Sequence, residues 1–441
     1  MKTKGMTKMG YCDFKEAQDT LSNIIHYANL KCEYGSEEKV REFCESLKRD
    51  LMRSLEQIKE MEEDQSLLAK EPSMLDEIKA LRTDGPRVLS TNFEATTLLN
   101  KMAGAILGRF VGCTLGVPVE AWTIEQMQEL ARQFDTPFPP TDYWNGVYTP
   151  EFLHYGISCR NKYTKSGMDG VPVDDDITYT LIALLTLESY GFDFTTEDVG
   201  EIWKKYLPIA CTAEEIALEN LKKGLSIDAV GVENNPYMQW IGADIRSDGW
   251  AYVCAGKPEL AAEFAYRDAY LSHRRNGIYG EMFFAATQAA AFCVDAPLEA
   301  IEIGLTEIPK DCTLYHDIKW AIAESKNIHN YKQAREAVDK RFAGMHVVHT
   351  NNNACLTVFG LVIGNGDFTK TISEIVAMGL DNDCTAATAG SIIGAIVGRD
   401  GIPNHWIENF NNTVYTYLKG IEKMELNDII NRFYKLTITN K

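Results

Sequence analysis

Residues 379–387 read Gly379-Leu380-Asp381-Asn382-Asp383-Cys384-Thr385-Ala386-Ala387. Two carboxylates stand one residue apart. They follow the apolar run Ile375-Val376-Ala377-Met378 and precede a run of small residues from Ala386 to Gly398. That context predicts acid at the start of a buried helix. Far upstream, Asp174-Asp175-Asp176 stands in the same local context, just before Ile177 to Tyr190. An N-cap role and the helix dipole account for one or two of these aspartates. Three in a row repel one another and call for a cation. The fold is therefore expected to bring the two acidic helix starts together around divalent metal.

The residue types narrow the metal. The stretch from Asp381 is not an EF-hand loop, because Ala386 stands where glycine is required and Ile392 where the closing glutamate belongs. Aspartates offer hard oxygen ligands, which favours magnesium, manganese or calcium over zinc or copper. Successive side chains at a helix start diverge by about 100°, so Asp175 and Asp176 can serve two ions. Such a pair would polarise water and clamp ribose hydroxyls or other oxygens. His346 and His349 are three apart, but no further His or Cys stands at zinc-ligand spacing.

Composition bounds the rest. The chain has 441 residues, enough for a large core and for more than one domain. A formal charge of −19 argues against a nucleic-acid surface. The 11 cysteines are scattered, odd in number and without a CxxC pair, and Met1 to Lys15 has no apolar core of a secretory signal. A reduced, cytoplasmic protein is the expectation. No stretch reaches the roughly 18 uncharged apolar residues of a membrane span. Ala103 to Pro118 comes closest, and Arg109 interrupts it.

Two regions are expected: a helical N-terminal extension over 1–92 and a nearly all-helical catalytic domain over 93–441. In the first, Val40, Phe43, Leu47, Leu51, Leu55 and Ile58 form one stripe of an amphipathic helix between Ser36 and Glu63. The stripe would pack on the main domain, or serve as an arm for a partner or a second copy. In the second, Gly104, Gly108, Gly112 and Gly116 recur every four residues, a ridge along which another backbone can approach. Gly116-Val117-Pro118 then ends the helix and presents Glu120. Asp135 to Gly170, rich in Pro, Tyr, Asn and Gly, reads as an irregular excursion of functional length. His273 lies between a helical run and the Asn276-Gly277 turn, where it can point into a cleft.

Taken in order, these segments resemble the ADP-ribosylglycohydrolase family over roughly residues 96 to 400. Gly108-Arg109-Phe110-Val111-Gly112-Cys113-Thr114-Leu115-Gly116-Val117-Pro118-Val119-Glu120 looks like its first motif, and Asp174-Asp175-Asp176-Ile177-Thr178 resembles its Thr-Asp-Asp-Thr motif. Gly242-Ala243-Asp244-Ile245-Arg246, Ser272-His273 and Asn276-Gly277 resemble the segments lining the ligand cleft. Asp381-Asn382-Asp383-Cys384-Thr385 resembles its Asp-Thr-Asp-Thr motif.

The resemblance implies an all-α, orthogonal multi-helix fold around two Mg2+ ions, with Mn2+ or Ca2+ as substitutes. It implies hydrolysis of the bond between the anomeric ribose carbon of ADP-ribose and a modified side chain or small conjugate. Carried over, Asp174, Asp175, Asp176, Asp381, Asp383 and Thr385 would hold the metals. Glu120, Asp175 and Asp383 would act in catalysis, and Arg246, His273, Asn276 and Gly277 would line the substrate site. Three positions depart from the pattern. Asp174 replaces a threonine ligand, Cys113 stands where many members have aspartate, and Cys384 replaces the last threonine, so that Thr385 or water would take its place. The other readings are cleavage of a different N- or O-glycoside by the same centre, a non-catalytic ADP-ribose binder, and a helical scaffold without metal.

Overall fold

Helices carry most of the chain that the computed structural model describes, residues 11–12, 14–89, 93–147 and 159–440. Residues 148–158 of the Asp135–Gly170 excursion and residues 90–92 at the expected domain boundary lie outside that set. Among the described residues the strands are a single antiparallel pair, Thr413–Leu418 and Ile421–Glu425, with Val414 opposite Met424. This hairpin adds to the nearly all-helical expectation. Its signal is the β-branched and aromatic run from Thr413 to Tyr417, which alternates in burial and is followed by Gly420 at φ 74°.

The chain divides into two compact units, Met1–Ala69 with Phe342–Met345, and Lys70–Arg341 with His346–Lys441. In the first, helices Lys15–Glu33 and Glu37–Lys59 form a hairpin turning at Gly35, whose φ is 86°. The second helix matches the expected stripe, while the first was not anticipated. Neither has a buried residue: Phe43, Leu51, Leu55 and Ile58 remain about half exposed. The stripe is thus not a buried core within this unit. Ile24, Tyr27, Val40 and Phe43 help line a groove of about 520 Å³ between the two helices.

The second unit begins at Lys70. The segment 70–89 is tied into it by polar contacts that no local pattern announces. Arg82 pairs with Glu259 at 2.9 Å and with buried Glu307, Arg87 pairs with Glu307 at 2.6 Å, and Glu71 accepts from Thr313 N at 2.7 Å.

The glycine ridge runs along helix Ala95–Gly116, which packs antiparallel against helix Asn382–Val397. A β-carbon on Gly104, Gly108 or Gly112 would overlap the backbone of Gly394, Gly390 or Ala386 respectively. Gly390 and Gly394 return the same constraint on Gly108 and Gly104. Glycine costs a helix about 1 kcal/mol, and here it admits backbone-to-backbone contact that no larger residue allows. Helix Ala95–Val119, with Arg109 inside it, is long and apolar enough to cross a membrane by length and composition; its side chains are largely buried inside the protein.

Candidate metal centre

The first acidic helix, Asp175–Tyr190, begins at Asp174, whose extended backbone lets its carboxylate accept from Asp176 N at 3.0 Å. Asp174 and Asp175 are half-buried, whereas Asp176 is fully buried. A buried carboxylate needs a partner, and Arg109 supplies it from the glycine ridge. Its Nη2 donates to Asp176 Oδ1 at 2.9 Å and to the Asp176 carbonyl at 2.8 Å, while its Nε lies 3.1 Å from Asp248 Oδ2. The arginine that interrupts an apolar run is thus an internal counter-charge. Its place mid-helix among glycines was the available signal.

The second acidic helix, Asn382–Val397, starts from a tight turn. Gly379 caps the preceding helix Phe368–Met378 at φ 72°, and Leu380 follows at φ 61°. Such a conformation is costly for a residue with a side chain. Neighbouring bonds hold it. Asn382 Nδ2 donates to the Val376 carbonyl at 2.9 Å, Asn353 Oδ1 accepts from Asp381 N at 3.3 Å, and Ala121 N donates to the Leu380 carbonyl at 2.9 Å. The last bond ties the segment carrying Glu120 to the turn carrying Asp381.

The result is one continuous set of donors. Ligand-capable atoms of Glu120, Asp381 and Asp383 lie within 4.8 Å of one another, as do those of Asp176, Asp383 and Cys384, and those of Asp174, Asp175 and Asp176. The two acidic helix starts, more than two hundred residues apart in the chain, therefore meet, with exposed Glu120 at the rim. Thr385, in the same helical turn, donates its hydroxyl to the Asp381 carbonyl of its own helix at 3.0 Å. The expected threonine position is filled by Cys384, whose Sγ lies 3.0 Å from Asp176 Oδ2.

The electrostatics match a site built for cations. Burial raises the Asp176 carboxyl to about 8, against the opposing pull of Arg109 and with further upward push from Asp175. Asp383 is raised well above the carboxylate range by burial, then by Glu120 and Asp381. Asp174, Asp175 and Asp381 are raised as well, burial being the largest cause in each. Asp381 Oδ1 and Asp383 Oδ1 are buried with no hydrogen-bond partner. Orphaned anionic oxygens of this kind are rare unless something binds them. The donors present thus fit divalent cations.

The four residues expected to line the substrate site make these contacts inside the protein. Arg246 is buried, pairs with Glu214, Asp268 and Glu281, and lies over the Trp203 ring at 5.1 Å. His273 is fully buried and shares a 2.8 Å hydrogen bond with the Ser272 hydroxyl; burial, then Arg246, holds its ring well below the usual histidine range. Asn276 donates to Glu71 and Gln239, both at 2.8 Å, and accepts from Leu314 N at 3.0 Å. A β-carbon on Gly277 would overlap the Met238 carbonyl. Their polar groups take part in buried networks. The histidine pair has a structural use too: His349 caps helix Thr350–Gly364, accepting from Asn351 N at 3.2 Å, and His346 stacks on Trp240 at 4.2 Å.

Comparison with known proteins places this geometry. The profile of the ADP-ribosylglycohydrolase family matches residues 94–441. No curated protein matches the chain. Among solved structures, one titled "ADP-ribosylglycohydrolase-related protein complex" superposes with a TM-score of 0.54 at 19% identity, covering 78% of this chain and 100% of that one. At that identity the likeness shows the fold, and the profile match shows more: this chain belongs to the ADP-ribosylglycohydrolase family, with the glycohydrolase type of function that membership carries.

Proposed function

We propose that this chain is a divalent-metal-dependent hydrolase that cleaves the bond between the anomeric ribose carbon of ADP-ribose and a modified protein side chain or small conjugate. The observation that supports it most is the pair of buried, partnerless oxygens, Asp381 Oδ1 and Asp383 Oδ1, within a set of carboxylates completed by Glu120 and Asp176. Asp174, Asp175, Asp176, Asp381 and Asp383 would hold two ions, magnesium or else manganese or calcium, which would supply Lewis acidity toward ribose oxygens and water.

The protein's own groups divide the remaining work. Glu120, exposed at the rim, can move a proton between the reacting water and solvent. Asp175, half-buried in the first helical turn, can orient a ribose hydroxyl by accepting its hydrogen bond. Asp383 joins the Glu120 group to the Asp176 group. In the net reaction the elements of water add across the glycosidic bond, hydroxyl to the anomeric carbon and proton to the leaving group.

The test is release of ADP-ribose from arginine-, serine- and small-molecule conjugates, with magnesium or manganese present. Release that disappears with chelator supports the reading. No turnover of any conjugate by metal-loaded protein rejects the substrate class. A second reading, cleavage of a different N- or O-glycoside, draws support from the bonds that engage Arg246, His273 and Asn276 inside the protein. A screen of nucleosides and simple glycosides separates the two.

A further inference from the structure

Among the described His, Cys, Asp and Glu residues that gather in the centre, all but one are carboxylates. Cys384 Sγ lies 3.0 Å from Asp176 Oδ2, and sulfur stands with carboxylate oxygens of Asp176 and Asp383 inside a 4.8 Å group. The cysteine occupies the first turn of helix Asn382–Val397 and is buried. A second observation, independent of the thiol, marks this as a ligand position: Asp383 belongs to the same group, and its Oδ1 is buried without a partner. A thiol is a weak hydrogen-bond donor, so its bond to Asp176 gives a metal little to displace. Two carboxylates and a sulfur converging on one space are a mixed donor set, which hard Mg2+ does not favour and borderline cations do.

We propose that Cys384 is a sulfur ligand at one of the metal positions of this centre, and that it tunes that position toward thiophilic divalent ions such as Zn2+, Co2+ or Cd2+ over Mg2+. The inference rests on the proposed function only in needing a divalent ion in the same centre. When the ion binds, the S–H bond of Cys384 breaks with its electron pair left on sulfur, the proton passes to solvent, and a metal–sulfur bond forms. Nothing is oxidised or reduced. The hydrogen bond to Asp176 would then describe the metal-free state.

The competing view is that Cys384 only fills space beside Asp176. The two views differ spectroscopically. Metal-free full-length protein is titrated with Co2+ and Cd2+ while sulfur-to-metal charge-transfer absorption is recorded, for the wild type, Cys384→Ser, Cys113→Ser and Asp383→Asn. Cys113 is the control thiol, buried beside the same aspartates. The wild type and Cys113→Ser should show the band, Asp383→Asn should weaken it, and Cys384→Ser should lose it while still binding Mn2+ by calorimetry. Zn2+ affinity of Cys384→Ser should fall about tenfold or more, with Mg2+ affinity unchanged or higher.

Persistence of the band in Cys384→Ser, its indifference to Asp383→Asn, or bound Co2+ without any band in the wild type overturns the proposal; so does failure of Co2+ and Cd2+ to bind at all. If Cys384→Ser does not fold, X-ray absorption on Co2+-loaded Cys113→Ser decides, because absence of a sulfur neighbour refutes the assignment. Conjugate hydrolysis is measured in parallel. Turnover without the band sinks this inference alone, and the band without turnover sinks only the proposed function.

Discussion

A β-carbon added to Gly116 would stand 2.5 Å from the backbone nitrogen of Asp383. The last glycine of the ridge therefore lets the second acidic helix start against the chain segment that carries Glu120. Gly116→Ala is expected to destabilise the protein by about 1–3 kcal/mol through overpacking and to weaken metal binding. On an exposed helix the same change would stabilise by about 1 kcal/mol. Thermal unfolding and metal calorimetry of the variant check this, and an unchanged or raised melting temperature would contradict it.

Buried carboxylates make the metal-free protein sensitive to pH. Burial raises Asp176 from 3.8 to about 8, and raises Glu214 from 4.5 to about 7 despite Arg246. For an acid raised on folding, the native state holds a proton that the unfolded chain has released. The unfolded state then binds fewer protons, so stability falls as pH rises through the window from about 4 to about 8. Chelator-treated protein should melt lower at about pH 8 than at about pH 5, and added divalent metal should stabilise more at the higher pH. Constant or rising metal-free stability across that range would count against this account.

Glu120 is exposed, so its carboxylate can be neutralised at little structural cost. Glu120→Gln should leave the melting temperature within error and lower kcat by about 10²- to 10⁴-fold, the range for loss of a positioned acid or base. Steady-state kinetics on whichever conjugate is cleaved provides the measurement. Full activity in the variant would remove Glu120 from the chemistry.

Asn276 should behave as a structural residue. Asn276→Ala leaves Glu71, Gln239 and the Leu314 amide short of a buried partner. A loss of about 1–3 kcal/mol in stability is expected, with KM unchanged in protein that remains folded. A large rise in KM with normal stability would return Asn276 to the substrate site.

Much of the centre was readable because its signals are local. Asp381 and Asp383 stand at the start of a run of small residues, Asp174 to Asp176 at the start of an apolar one, and each pattern is that of a buried helix. The four-residue period of Gly104 to Gly116 places four missing side chains on one helix face whatever the fold. Gly116-Val117-Pro118 marks the end of that helix and so the emergence of Glu120. Local reading stops short at Arg246 and His273. A polar residue near a cleft motif and a polar residue in a buried network have the same letters, and only neighbours distant in the chain distinguish them.

By itself the sequence determined which residues share a helix face and where acid gathers at helix starts, because backbone periodicity and capping act over a few residues. What only the tertiary structure decided is what each face meets. Helix Asn382–Val397 lies along the glycine ridge, Arg109 turns inward to Asp176, and Cys384 meets the Asp176 carboxylate. Residues 70–89 belong with the larger unit because Glu71, Arg82 and Arg87 find partners some two hundred residues away. Close packing selects one pairing of faces from many that local propensity allows, and no local pattern encodes that choice.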